Sequence, residues 1–136
     1  MGGGGGTYDS SALTYATYEN CIIYFNSASG EASNCYVSAT AWAAFTNCCF
    51  APALTSAVAV SYSINNITAD PQFIDKDAGN WRLRANSPCI NTGINESWMT
   101  TGYGSIDLDG RTRIRYGTVD MGAYEGIYEG TVYKMY

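Results

Sequence analysis

The stretch Asn66–Gly93, NITADPQFIDKDAGNWRLRANSPCINTG, decides how the rest of the chain is read. Asp70-Pro71 imposes an extended or turn backbone at Asp70, because the proline ring disfavours the helical region for the residue before it. Phe73 and Ile74 follow as expected core residues. Asp75-Lys76-Asp77-Ala78-Gly79-Asn80 has turn chemistry. Trp81-Arg82-Leu83-Arg84 reads as a short strand that places Trp81 and Leu83 on one face. Ser87-Pro88-Cys89-Ile90 closes the unit, with Cys89 or Ile90 turned inward.

A second block, Asp107–Glu125, DLDGRTRIRYGTVDMGAYE, stands downstream. It opens on a turn at Asp107–Gly110. Arg111–Tyr116 is predicted as a strand, with Arg111, Arg113 and Arg115 on one face and Ile114 on the other. Val119, Met121 and Ala123 mark a last alternating strand.

In order, the two blocks resemble the closing segment of secreted bacterial right-handed parallel β-helix proteins of the pectate-lyase-like superfamily. The last coils of that group read DP-x-F, G-(N/D)-aromatic-R-L, SP-C/A-I-(D/N)-x-G, DLDG-x-x-R and G-x-VD-x-GAYE. The resemblance implies an all-β chain: a short right-handed parallel β-helix (solenoid) with a C-terminal cap and a strand-like tail. The expected organisation is a flexible Gly-rich leader over residues 1–10, the β-helix domain with its cap over 11–126, and the tail over 127–136. It also implies an extracellular or cell-surface location. The start MGGGGGTYDSS has neither the basic region nor the apolar core of a signal peptide.

The first half repeats loosely. Asn20-Cys21-Ile22-Ile23-Tyr24, Asn34-Cys35-Tyr36-Val37 and Asn47-Cys48-Cys49-Phe50 each put Asn-Cys before apolar or aromatic residues, and the first and third copies stand 27 positions apart. Repetition on that scale marks stacked structural units. Stacked asparagines at a corner can form an amide ladder, with Cys, Ile and Val filling the interior. Val58, Val60 and Tyr62 alternate as a further strand.

Composition sets limits. Only 14% of residues are charged, whereas the chain holds 12 Tyr and 15 Gly, which suits short strands joined by polar turns. A net charge of −5 speaks against nucleic acid, whose phosphates need an excess of Lys and Arg. The absence of histidine removes the commonest general base and metal ligand, and with them any Ser-His or Cys-His nucleophile. No apolar run is long enough for a membrane span. Five cysteines, an odd count, leave at least one unpaired within the chain. Cys48 and Cys49 are adjacent, so on a strand at most one faces a given core; buried thiols and a disulfide both stay open.

Candidate sites are few. Asp75-x-Asp77-x-x-Asn80 and Asp107-x-Asp109-Gly110 have some calcium-loop residues but not a full ligand set, and read as turns. No metal, cofactor or catalytic residues are assigned. The Arg111/Arg113/Arg115 face would repel itself unless it meets an anion, such as an acidic polysaccharide, or pairs with Asp107, Asp109, Asp120 or Glu125. Trp98 and Tyr103, in the irregular segment Ile94–Ser105, either stack on sugars or cover the open end of the stack. Ile127, Tyr128, Val132, Tyr133 and Tyr136 in the tail are candidate assembly residues. The leading expectation is an extracellular structural or adhesive protein that self-associates, head to tail into filaments or as a smaller homo-oligomer, since an uncapped stack invites strand pairing. Two alternatives are a carbohydrate-binding or surface-adhesion module and a non-catalytic end-piece of a larger polysaccharide-degrading enzyme.

Overall fold

Three left-handed asparagines organise the first part of the molecule. The computed structural model of the chain describes residues 7–9, 15–27, 34–37, 42–51 and 62–127. Within them the strands are β1 (Thr7–Asp9), β2 (Tyr15–Glu19), β3 (Ile22–Ile23), β4 (Cys35–Val37), β5 (Trp42–Thr46), β6 (Cys49–Phe50), β7 (Tyr62–Ile64), β8 (Phe73–Asp75) and β9 (Asn80–Leu83). Asn20, Asn47 and Asn65 follow directly on β2, β5 and β7, with φ of 54°, 50° and 53°. Asparagine tolerates this region better than other side-chain-bearing residues, so each ends its strand in a sharp corner. The corners stack through the backbone, Asn20 N donating to Thr46 O at 3.2 Å and Asn47 N to Ile64 O at 3.0 Å.

The 27-residue spacing of the sequence is the spacing at which β2 pairs with β5 (Tyr15↔Trp42 to Glu19↔Thr46) and β3 with β6 (Ile22↔Cys49, Ile23↔Phe50), both in parallel. The second Asn-Cys copy is not equivalent to the other two. Asn34 precedes β4, which pairs with β1, and its Oδ1 accepts from Asn26 N at 3.1 Å. The residue that shares the corner with Asn20 and Asn47 is Asn65, followed by Asn66 rather than cysteine.

The expectation of a short right-handed parallel β-helix with a C-terminal cap is corrected. Among the described residues the strands fall into separate sheets, β1-β4, β2-β5-β7, β3-β6 and β8-β9, and no closed solenoid forms. Most of the described chain lies outside strands, so the all-β character is weak. The strands hold two to five residues, and among the described residues no sheet gathers more than three of them. Beyond β7 parallel pairing continues as a single bridge from Ile67 to Cys49 and then gives way. The hairpin β8-β9 is antiparallel, turned by Asp75, whose Oδ1 accepts from Ala78 N at 3.1 Å, and by Gly79 at φ 75°.

Downstream, Arg111–Tyr116 and Val119–Ala123 are not strands. Apart from a bridge between Ile106 and Thr112 they run mostly as bends, with side chains taking the backbone N–H groups of Arg111, Val119 and Asp120. Two turns of 3₁₀ helix, Ser97–Thr100 and Gly102–Ser105, occupy the segment expected to be irregular. No helix of the described residues is long and apolar enough to cross a membrane. The expected strand at Val58–Tyr62, Tyr62 apart, lies outside the described residues, as do residues 1–6 and 10 of the expected leader and residues 128–136 of the tail, whereas leader residues Thr7–Asp9 form β1, paired with β4.

Two apolar clusters form rather than one. Ile23, Ala43, Phe45, Cys48 and Phe50 make the first, with Tyr18 stacked on Phe45 at 4.8 Å and 9°. Cys49, Leu83, Cys89, Ile90 and Met121 make the second. Cys48 and Cys49 do point opposite ways, yet both are fully buried, because a cluster lies on each side. Cys89 and Ile90 are both buried as well, whereas Ile74, expected in the core, is 42% exposed.

Candidate functional site: an aromatic cleft beside a carboxylate latch

Buried acids brace the second sequence block, and one of them, Asp120, ties it to the first. Asp107, Asp120 and Glu125 are 5%, 2% and 4% exposed. Asp107 Oδ1 accepts from Asp109 N at 2.9 Å and Arg111 N at 2.8 Å, while Oδ2 accepts from Glu125 N at 2.9 Å. Asp120 takes Asn91 N at 2.7 Å and Gly126 N at 2.6 Å. Glu125 Oε2 takes Asp120 N at 3.1 Å. Backbone N–H groups satisfy both oxygens of Asp107 and of Asp120 and one oxygen of Glu125, so these acids act as latches. Arg82 of the first block adds a forked pair with Asp109 of the second, its Nε 2.7 Å from Oδ2.

Gly93 shows how closely the blocks meet. Its N donates to Val119 O at 2.9 Å, and an added Cβ would lie 2.7–2.8 Å from Val119 and Asn20. Met121 N donates to Cys89 O at 2.9 Å, and Gly122 N to Asn20 O at 2.7 Å, tying the second block to the Asn20 corner.

Between these parts opens a cleft of about 600 Å³. Tyr24, Phe73, Trp81, Trp98 and Tyr124 line it, with Met99, Met121, Leu83 and Ile22 among its apolar atoms and Glu19, Glu96, Asn20, Asn26 and Arg113 among its polar ones. Several rings hold one another: Phe73 meets Trp81 edge to face at 5.2 Å, and Phe25 joins Phe73 at 6.2 Å. Trp81 and Trp98 are 43% and 54% exposed, so part of each side chain is open to solvent. Arg82 lies over the Tyr124 ring at 4.6 Å and Arg113 over Trp98 at 5.9 Å, cation–π contacts that fix those rings. The acids Glu19 and Glu96 outnumber Arg113, itself 3.9 Å from Glu125 Oε1.

The residues expected to act as a site are thus dispersed. Of the three arginines, only Arg113 lines the cleft; Arg111 pairs with Asp109, and Arg115 sits over Tyr116 at 5.5 Å. They share no strand face. Trp98 lines the cleft on its 3₁₀ turn, while Tyr103, at 96% exposure, does not. Met99 of the same turn is buried at 3%. Ile127 is half exposed at the end of the described chain, and Tyr128, Val132, Tyr133 and Tyr136 lie outside it. Asp75 and Asp107 serve as turn acceptors, and no cluster of ligating side chains that could hold a metal is found among the described residues.

Reading the sequence missed Glu19, Tyr24, Glu96 and Tyr124, and placed Trp81 only as the strand-face neighbour of Leu83. Trp81 and Leu83 do share a face of β9, but the face leaves the core at its first residue, Leu83 being 6% exposed and Trp81 43%. These residues come from four segments, so no local spacing could join them. Comparison with protein families, with curated proteins and with solved structures finds no match.

Proposed function

We propose that this chain is an extracellular carbohydrate-binding module whose ligand lies in the aromatic cleft. The observation that carries the reading is the company of half-exposed Trp81 and Trp98 with Glu19, Asn20, Asn26 and Glu96 around one opening. A sugar ring offers an apolar face for an indole and a rim of hydroxyls for carboxylates and amides; an aromatic cleft with a few convergent polar groups supplies both. The volume, about 600 Å³, falls in the range of small-ligand sites, roughly 300–1,000 Å³. The acid excess favours neutral or amino sugars over carboxylated ones, because Arg111 and Arg113 already face Asp109 and Glu125.

The test is a tryptophan-fluorescence titration with cello-, xylo- and chito-oligosaccharides, and with polygalacturonate as the acidic probe. A saturable change with a neutral or amino-sugar probe, lost in Trp98→Ala, is expected. No saturable change with any probe would remove the reading.

A second reading, self-association, is favoured by the edge of β2, which among the described residues pairs only with β5. Light scattering across a concentration series decides it. Mass growing with concentration supports assembly, and unchanged growth after deletion of residues 127–136 would take the tail out of it.

A further inference from the structure

Four of the five cysteines meet in two thiol pairs. β3 and β6 run in parallel with Ile22 opposite Cys49, and Cys49 N donates to Cys21 O at 2.8 Å. Cys21 therefore lies beside Cys48, one step before the registered pair. Neighbouring strands stand roughly 4.8 Å apart, within the Cα separation of about 4.4–6.8 Å that a disulfide spans. The Cys21 and Cys48 thiols are close enough to perturb each other, as are those of Cys49 and Cys89, while Cys21 Sγ donates to Glu19 O at 3.2 Å and Cys48 Sγ to Tyr18 O and Thr46 O at 3.3 Å. The two pairs differ in access. Cys21 is half-buried and lines the cleft, while Cys48, Cys49 and Cys89 are 0% exposed.

We propose that Cys21 and Cys48 form an oxidisable dithiol on the cleft wall, closing to an intramolecular disulfide by exchange with a low-molecular-weight or protein disulfide, while Cys49 and Cys89 stay sealed as thiols. Cys21 is the attacking group. Its thiol is pulled down to about 7 by the neighbouring Cys48 thiol, against the opposing effect of burial. The same contact and burial push Cys48 up. The Cys21 thiolate attacks one sulfur of the oxidant, forms a mixed disulfide and releases the other sulfur as a thiolate. Cys48 then attacks Cys21 Sγ, its proton passes to the departing thiolate, and the second thiol leaves. Two cysteine thiols are oxidised to one disulfide, and one oxidant disulfide is reduced to two thiols. The buried Cys49–Cys89 pair offers no sulfur to an oxidant without local opening. This inference stands apart from the glycan reading.

The experiment treats the folded full chain with oxidised glutathione, quenches with acid, alkylates remaining thiols under denaturant and maps peptides without reduction by mass spectrometry. Expected is a loss of two hydrogens and a Cys21–Cys48 cross-link, with Cys49 and Cys89 both alkylated; fragmentation between Cys48 and Cys49 assigns the sulfur. Cys48→Ser should hold glutathione on Cys21 as a persistent adduct. Should that variant not fold, the wild-type map decides alone. Persistent glutathione on wild-type Cys21, an unreacted Cys21, or a link from Cys21 to Cys35, Cys49 or Cys89 overturns the proposal.

Discussion

Glu125 occupies a position that resists charge. One of its oxygens caps Asp120 N, but Oε1 is buried without a hydrogen-bond partner, and the Arg113 guanidinium stands off at 3.9 Å with its own Nε unsatisfied. Burial raises the carboxyl from 4.5 to about 7, and burial raises Asp120 too. An acid with a raised folded value holds its proton longer in the native state than in the unfolded one. Its contribution to stability is full below about 4.5 and is lost as pH rises through 7. Denaturant melts between pH 4.5 and 8 should show stability falling by about 1–3 kcal/mol over this window. Glu125→Gln should flatten that fall; an equal slope in the variant would contradict the account. Gly93 yields a second residue-level expectation. With Val119 O 2.8 Å from an added Cβ, the neighbour that must give way is backbone. Gly93→Ala should cost about 1–3 kcal/mol in a urea melt, and a neutral result would mean that the two blocks pack less closely than described.

At the scale of elements, the corner asparagines combine two properties. Asn47 adopts φ 50° and its Nδ2 donates to Thr92 O at 2.7 Å; Asn20 likewise exchanges two hydrogen bonds with Ile94. Substitution separates these. Asn47→Gly keeps the backbone conformation and loses the bond, at about 1 kcal/mol. Asn47→Ala loses the bond and adds left-handed strain, at about 2–3 kcal/mol. Equal losses by chemical denaturation would show that the conformation is not what selects asparagine. The repeat itself was legible, because the 27-residue spacing sets the register of β2 on β5 and of β3 on β6. The expected amide ladder was not what formed, since Asn20 and Asn47 turn their side chains to Ile94 and Thr92. The strand expected at Arg111–Tyr116 failed for a related reason. Its alternation suited a strand, but Asp107 captures Arg111 N, and the acid and the amide it holds are not the ladder partners that alternation implies. The buried latch of Asp107, Asp120 and Glu125 was visible as motif letters; its partners, up to 29 positions away, were not.

For the whole molecule, the described residues divide into two clusters flanking Cys48-Cys49, with a cleft over the second. The resemblance to β-helix ends led to an expected closed stack, and the antiparallel β8-β9 hairpin with the bends that follow it replaces that stack. Of the cleft, Trp98 and Arg113 were legible from the sequence as ligand-facing candidates. Glu19, Tyr24, Trp81 and Tyr124 were not, because only the folded corners bring those segments together. The central claim is that this cleft binds glycan, and the three tryptophans report on it directly, since Trp81 and Trp98 line the cleft and Trp42 does not. The decisive measurement is a ¹⁵N NMR titration of the indole N–H signals with a neutral chito-oligosaccharide and a cello-oligosaccharide. The account predicts that the Trp81 and Trp98 signals move together and saturate with at least one of these while Trp42 stays in place. Signals that stay fixed with both probes, or Trp42 moving alone, would contradict it.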